Sequence, residues 1–287
     1  MFRPIGFAER RAPNSLFELM PGLEIGPADR RFYLDDELAG GPLACWWKAR
    51  DLALEDQDFD IHYKILKVIA PHLGKDQALL GWLQQAVAQA AELTHPHIAT
   101  VYHWARGEDG WSYVVQEYLE GQDLGLYLLK HGPLDSAAAL DLLQPLADAL
   151  DYAWRERSLL HGNLRPETVL ISEDGALKLL DFGLTPANLR SQLEGAADYA
   201  PPEASTTPAA SQAQDIFALA CIAYEMLVGQ SPFGIVAKTL RRNDHEQMRP
   251  RHLTSAAWAV LRQALASDPR ERPTSSTLLV AALQATQ

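Results

Sequence analysis

The sequence predicts an α+β fold in two lobes, a smaller strand-rich lobe with one helix followed by a larger helical lobe. Between Phe32 and about Tyr118 the chain is strand-like, with β-branched runs such as residues 60–69. After Gly121 the apolar residues recur at helical spacing. The predicted organisation is an N-terminal extension over residues 1–30, a first lobe over residues 31–120 and a second lobe over residues 121–287.

The helices are predicted from their apolar spacing and their end signals. Residues 77–93 form the helix of the first lobe, because their apolar residues step at helical spacing. In the second lobe Asp135 is expected to N-cap a long helix that Pro145 kinks. Another apolar helix over residues 213–227 is expected to end at Gly229.

Composition restricts the classes of partner. The formal charge is −12 and the sequence pI about 5.2, which argues against nucleic acid or an anionic membrane as a main partner. The acidic composition is sufficiently explained by its contribution to the solubility of the protein. No apolar run approaches the roughly 20 residues of a membrane helix, and the first 15 residues lack an apolar signal core. Cys45 and Cys221 are expected to be buried free thiols, so we expect a cytoplasmic domain.

The most informative segment runs from His161 to Gly183 and reads HGNLRPETVLISEDGALKLLDFG. It resembles the motif H-R-D-L-K-P-E-N … D-F-G of eukaryotic-type (Hanks-type) serine/threonine protein kinases. Residues 20–26 resemble the P-G-x-x-I-G stretch before the first strand of many bacterial members. The resemblance implies a bilobal protein-kinase-like fold, with a small antiparallel β lobe carrying one helix and a larger α-helical lobe.

The resemblance also assigns structural roles. His161 matches a structural histidine of the motif, and Asp215 matches the aspartate that braces the catalytic loop from below. Glu203 lies in Tyr-Ala-Pro-Pro-Glu, which resembles the Y-x-A-P-E end of the activation segment. Arg272 matches the arginine that pairs with that glutamate, so a buried ion pair between Glu203 and Arg272 is expected.

Several chemical positions depart from the family pattern. Asn163 stands where the family has its catalytic aspartate, and an amide cannot accept a proton from a hydroxyl. Thr168 replaces the asparagine that holds the second magnesium, and one hydroxyl is a poorer ligand. Arg165 replaces a lysine and keeps the positive charge. Asp181 retains the carboxylate that chelates magnesium, although its retention for the D-F-G turn is an equal alternative.

The nucleotide-binding positions are altered as well. In the segment that aligns with the glycine-rich loop only Gly41 matches, and Pro42 has no N–H to offer a phosphate. Lys67 aligns with the phosphate-binding lysine, with a solvent-facing strand lysine as the alternative. The helix glutamate that pairs with it is expected at Ala86, which carries no charge, although Gln85 or Gln89 could hydrogen-bond the lysine. The resemblance adds Glu117 and Leu170 to the cofactor-binding set.

Two larger side chains are expected to crowd the adenine site. Trp46 replaces a valine of the family and Leu66 replaces an alanine. The orientation of Trp46 stays open, because its side chain could turn outward.

These departures predict a pseudokinase that regulates or scaffolds through protein–protein contacts. The alternatives are a weakly active serine/threonine kinase and a nucleotide sensor without turnover. No cofactor is required on this interpretation, and ATP with magnesium binds weakly if at all. A protein partner is expected, nucleic acid is not, no membrane segment lies within this chain, and both a homodimer and a heterodimer are left open.

One expectation concerns regulation. Gly162 replaces the arginine that reads activation-segment phosphate in many kinases. Phosphorylation of Thr185, Ser191 or Tyr199 is therefore not expected to order residues 183–203 around the catalytic loop.

Overall fold

A computed structural model describes residues 19–54, 61–193, 195–205, 211–233 and 253–287. Residues 1–18, most of the predicted N-terminal extension, lie outside this description. The chain divides into two compact units. The first unit comprises Met1–Thr94 and Ala99–Gln122, and the second comprises His95–Ile98 and Asp123–Gln287.

The first unit is built on one antiparallel sheet of six strands in the order β1-β2-β3-β4-β6-β5. The strands are β1 (Glu24–Ile25), β2 (Phe32–Gly40), β3 (Ala44–Asp51), β4 (Tyr63–Ile69), β5 (Val101–Arg106) and β6 (Ser112–Glu117). Helix α1 (Gln77–Ala90) begins after Asp76, whose carboxylate accepts hydrogen bonds from two backbone N–H groups of the first turn. The helix ends before the predicted residue 93.

Strand alternation in this sheet corrects one prediction. Leu66 pairs across the strands with Trp47, and both belong to the buried hydrophobic cluster. Lys67 pairs with Trp46, so these two side chains share the opposite face. The expectation that Leu66 crowds the site beside Lys67 is therefore wrong, because neighbouring residues of a strand point to opposite faces. Leu66 is a core residue with no exposed surface.

The second unit is mainly helical. Its elements are α2 (Leu124–His131), α3 (Ser136–Arg157), β8 (Val169–Ser172), β9 (Leu177–Leu179), α4 (Gln212–Val228), α5 (Ser255–Ala264) and α6 (Ser276–Gln284), and the short strand β7 (Gly121–Asp123) lies at the division between the units. Strands β8 and β9 pair antiparallel. Helix α3 packs against α4, α6 and β9.

The helix ends in this unit follow the sequence signals. The Asp135 carboxylate accepts a hydrogen bond from the N–H of Ala138 at 2.8 Å, as expected for an N-cap. Helix α3 continues through Pro145 without a break. Helix α4 ends at Gly229, whose φ of 82° is the left-handed conformation that glycine adopts without strain.

A half-buried carboxylate connects three helices of this unit. The Asp151 carboxylate on α3 accepts a hydrogen bond from Gln212 Nε2 at the start of α4 at 2.6 Å. It also accepts bonds from the backbone N–H groups of Ser276 and Thr277 at 2.8 and 3.0 Å. Asp151 thus supplies acceptors to the first turn of α6 that the helix cannot supply itself.

Among the described residues, the strands and helix α1 of the first unit and the helices of the second match the α+β class that the sequence predicts. Cys45 and Cys221 are both buried and free of disulfides. Within the described ranges, no helix has the length and apolar character needed to cross a bilayer.

Candidate functional site

The catalytic loop, residues 161–168, is held by a carboxylate from helix α4. Asp215 accepts hydrogen bonds from the backbone N–H of His161 at 2.7 Å and of Gly162 at 3.0 Å. Burial raises the pKa of Asp215, and the two N–H donors and the nearby Arg190 oppose that increase. The residue that the resemblance assigns as a brace therefore contacts the loop backbone directly.

The His161 side chain is fully buried beneath this loop. Its ring lies 5.1 Å from the Phe182 ring, and its Nδ1 accepts a hydrogen bond from the Asn163 N–H at 3.3 Å. Burial lowers the pKa of His161 to about 4, with Asp181 acting in the opposite direction. The imidazole is therefore neutral at physiological pH and serves as a packing and acceptor group.

This lowered pKa predicts a pH-dependent contribution to stability. Because the folded-state pKa of His161 lies near 4 and the unfolded one near 6.5, the unfolded state binds the proton more readily. The contribution is complete above pH ~6.5 and is lost as the pH falls towards 4, a change of roughly 3 kcal/mol. The buried carboxyl of Asp215, whose pKa is raised, acts in the opposite direction.

The test therefore compares the pH dependence of the free energy of unfolding in the wild type and in a variant at His161. Urea unfolding of the wild type and of His161→Gln should be compared at several pH values between 4 and 7. We expect the free energy of unfolding of the variant to fall less steeply over this window. Equal slopes would show that His161 does not titrate differently in the folded and unfolded states.

Thr168 is engaged in the backbone of the catalytic loop. Its Oγ1 donates to the carbonyl oxygen of Arg165 at 2.8 Å and accepts from the Arg165 N–H at 3.1 Å. These bonds close the short helical turn Pro166–Thr168. The Thr168 hydroxyl, which stands where the family has a metal-binding amide, is thus already hydrogen-bonded within the loop backbone.

Asn163 and Asp181 are nearly buried in the second unit, with 9% and 7% of their surfaces exposed. Asp181 adopts a φ of 58°, a left-handed conformation that aspartate tolerates better than most residues. The guanidinium Nε of Arg165 lies 3.9 Å from the Glu167 carboxylate, so the positive charge is retained beside an acid. Among the described residues no group of three or more His, Cys, Asp or Glu side chains is arranged to hold a metal ion.

The ion pair expected from the resemblance is present. The Arg272 Nη1 and Nη2 atoms lie 2.6 and 2.8 Å from the two oxygens of Glu203. The Arg272 side chain has no exposed surface and that of Glu203 is 12% exposed. This bidentate pair anchors the end of the activation segment, residues 183–203, to the chain after α5.

The three hydroxyls considered for phosphorylation differ in access. Thr185 is buried, and the Tyr199 hydroxyl donates to the Glu225 carboxylate. Burial followed by the negative charge of Glu225 raises the pKa of Tyr199. Ser191 is exposed and is the accessible candidate of the three.

A small cavity lies between the catalytic loop, the activation segment and α4. Asn163, Arg190, Tyr199, Gln214 and Asp215 supply its polar lining. Arg190 and Glu225 have no counterpart among the residues singled out by sequence. No local sequence pattern identifies Arg190 or Glu225, because the residues that they contact lie on other elements.

In the first unit the turn aligned with the glycine-rich loop is closed. The Gly41 N–H donates to the Ala44 carbonyl at 3.0 Å, which joins β2 directly to β3. Pro42, the next residue, has no N–H. The N–H of Gly41 is therefore occupied within the turn, and residue 42 offers none to a phosphate.

Lys67 lies under an aromatic ring. Its ammonium is 5.2 Å from the centre of the Trp46 ring, a distance suited to a cation–π contact. Trp46 therefore does not turn away from the Lys67 face. On α1, Ala86 is buried, whereas Gln85 and Gln89 are exposed.

The remaining assigned residues lie in separate units. In the first, a Glu117 carboxylate oxygen accepts a hydrogen bond from the Thr100 N–H at 2.8 Å. In the second, Leu170 is buried in β8, opposite Lys178 of β9.

Comparison with proteins of known sequence identifies kinase relatives. The serine/threonine-protein kinase PrkC of Bacillus subtilis is 28% identical over 209 residues, which cover 71% of this chain and 31% of PrkC. The serine/threonine-protein kinase PknB of Mycobacterium tuberculosis is 28% identical over 260 residues, covering 84% of this chain and 40% of PknB. The chain thus spans less than half the length of these relatives.

Comparison with solved structures supports the same fold. The kinase domain of Mycobacterium tuberculosis PknI superimposes with a TM-score of 0.73 at 24% identity, covering 94% of this chain and 100% of that domain. The predicted protein-kinase-like fold is confirmed.

Residues 66–283, which are well over half of the chain, match the family described as "Protein kinase domain". The chain therefore belongs to the protein kinase domain family.

Proposed function

We propose that this domain is a pseudokinase, a protein kinase relative that has lost phosphoryl transfer and acts as a regulatory or scaffolding module through a partner protein. The observation that carries the proposal is the catalytic loop itself. Asn163 occupies the position of the proton-accepting carboxylate, and Thr168 uses its hydroxyl within the loop backbone. The fold-supporting contacts of Asp215, Glu203 and Arg272 are intact.

The chemistry of Asn163 is the first support. Phosphoryl transfer to a hydroxyl uses a carboxylate that orients the hydroxyl and accepts its proton. An amide can hydrogen-bond the hydroxyl but has no basic lone pair at neutral pH. General-base assistance contributes about 10²- to 10⁴-fold in rate, so this position alone imposes a large deficit.

The fit of ATP and magnesium is the second support. Gly41 donates its N–H within its own turn, and Pro42 lacks one. Ala86 supplies no carboxylate on α1, and the Trp46 ring covers the ammonium of Lys67. These residues fit a nucleotide poorly, so the proposed function requires no cofactor and includes no step through one.

The class of partner is inferred from the net charge of the chain. With a net charge of −12 the domain repels polyanions, and a protein is the partner class that remains. Both a second copy of the chain and a different protein fit this proposal.

A second candidate function is a weakly active serine/threonine kinase, and a third is a nucleotide sensor without turnover. Asp181, Lys67 and Arg165 retain chemistry that either would use. The similarity to PrkC and PknB, which are named serine/threonine-protein kinases, favours the active candidate. Nucleotide binding separates the candidates.

The test is a thermal-shift titration with ATP, with and without magnesium. A ligand that binds only the folded state stabilises it by RT ln(1 + [L]/Kd). If Kd exceeds the ATP concentration, the gain is below about 0.4 kcal/mol, or roughly 1 °C for a domain of this size. We expect a shift of this size or smaller for the wild type.

Two variants sharpen the titration. Trp46→Val should increase the ATP-induced shift if the indole occupies the space that a base needs, and Trp46→Val combined with Lys67→Met should abolish that increase. A saturable micromolar shift in the wild type would favour the sensor or the kinase. A shift that appears only with magnesium would implicate Asp181.

A further inference from the structure

The catalytic loop has an unusual neighbour at Gly162. The backbone of Gly162 has a φ of 77°, and a Cβ placed there would lie 2.8 Å from Nη2 of Arg190. Such a separation is shorter than real Cβ contacts. The Arg190 guanidinium therefore occupies the space that a side chain at residue 162 would need.

Arg190 comes from the activation segment. It lies in the helical turn Ala187–Gln192, which follows Pro186. Its Nε is buried and makes no hydrogen bond within the described residues. The guanidinium lines the same cavity as Asn163 and Asp215, so this side chain extends from the activation segment to the catalytic loop.

The buried carboxylate of Asp215 attracts this guanidinium. Asp215 is buried and accepts hydrogen bonds from two N–H groups of the loop. Burial lowers the pKa of Arg190, and the attraction of Asp215 acts against that effect. A buried carboxylate is costly without a compensating charge, and Arg190 supplies a positive charge from the segment that covers it.

We propose that Arg190 is an intrinsic clamp that holds the activation segment against the catalytic loop without any phosphate. The family motif has an arginine on the loop that reaches towards a phosphorylated segment. Here the loop residue is Gly162, and the segment itself carries the arginine. The loop and the segment are thereby joined by a guanidinium that belongs to the segment, and this contact needs no modification of the segment.

The clamp goes beyond the proposed function, because it concerns the conformation of the segment and not phosphoryl transfer. It applies equally to a pseudokinase and to a weak kinase. Its test therefore reads the segment directly and does not depend on nucleotide or partner.

Hydrogen–deuterium exchange with mass spectrometry provides that test. Arg190→Met keeps the length of the side chain and removes its charge. Peptides covering residues 183–203 should exchange about tenfold faster in this variant, the change expected when a charged contact that restrains a local segment is lost. Peptides from the interior of α4 should exchange at the wild-type rate.

Arg155→Met is the matched control. Arg155 lies in the same unit on α3, its side chain is 70% exposed, and it pairs with the neighbouring Glu156. This variant should leave every peptide unchanged. Unchanged exchange of the segment in Arg190→Met would overturn the proposal, and so would a uniform acceleration that includes α3 and α4, since that would show a general loss of stability.

A further variant tests whether phosphate is needed. Ser191→Glu, which imitates phosphate at the accessible hydroxyl, should leave segment exchange unchanged, whereas slower exchange would show that the segment still requires phosphate for order.

Discussion

Replacing Arg272 by alanine is expected to lower the free energy of unfolding by about 3–5 kcal/mol. The Arg272 side chain is fully buried and forms a bidentate pair with Glu203. It also donates to the carbonyl oxygens of Ala213 at 2.8 Å and Ala266 at 2.9 Å, and it lies 4.9 Å from the centre of the Phe217 ring. Its removal takes the guanidinium away from the Glu203 carboxylate and from two carbonyl oxygens.

The measurement is urea unfolding monitored by circular dichroism, with thermal unfolding alongside. A loss of this size corresponds to a fall in melting temperature of roughly 10 °C for a domain of this length. Arg272→Lys should show an intermediate loss, because an ammonium keeps the charge but cannot form the two-pronged contact.

Arg270→Ala is the control for this prediction. Arg270 lies two residues away, its side chain is 89% exposed, and its partner Asp268 is a surface carboxylate. Exposed pairs contribute about 0–1 kcal/mol, so this variant should unfold nearly as the wild type does. If Arg272→Ala lost no more than Arg270→Ala, the buried pair would not contribute to stability as argued.

Incubation with radiolabelled ATP, with magnesium or with manganese, is expected to give no phosphotransfer above background. Asn163 has no group that accepts the proton, which corresponds to about 10²- to 10⁴-fold in rate. Thr168 is bound to Arg165, and Gly41 donates within its own turn. Loss of electrostatic stabilisation of the phosphates adds to the deficit.

The assay should be run beside Asp181→Ala and Asn163→Asp. Asn163→Asp restores the proton acceptor alone, and we expect it to remain inactive because the other positions are unchanged. Incorporation in the wild type that disappears in Asp181→Ala would establish an active kinase and overturn the proposed function. Signal that persists in Asp181→Ala would indicate a contaminating kinase.

The combination with the thermal-shift titration separates the remaining candidates. Absence of incorporation together with micromolar ATP binding would replace the partner-only function by a nucleotide sensor. Absence of both supports a pseudokinase that acts through protein contacts alone.

The motif residues could be assigned from sequence because they lie at recognisable spacings within short segments. The segment 161–183 located the catalytic loop, and the pairing of Glu203 with Arg272 followed from two further motifs. The N-cap Asp135 and the end of α4 at Gly229 were also predictable, because capping depends on residues only a few positions apart.

The face of the sheet to which a strand side chain points was harder to predict from the sequence. Leu66 was assigned to the face of Lys67, although strand alternation places it in the core beside Trp47. The orientation of Trp46 stayed open until the register of β3 and β4 paired it with Lys67. A register error of one residue reverses the face of every side chain in a strand, and a single sequence does not determine register.

The sequence by itself determined the family, the α+β class, the departures at Asn163 and Thr168 and the scaffold pair, because each depends on residue identity at a motif position. Only the tertiary structure decided that the Thr168 hydroxyl is hydrogen-bonded within the loop, that Asp151 joins three helices and that Arg190 fills the space above Gly162. The latter two contacts join residues far apart in the chain. Their formation depends on burial and on the close approach of separate elements, which no local pattern of residues encodes.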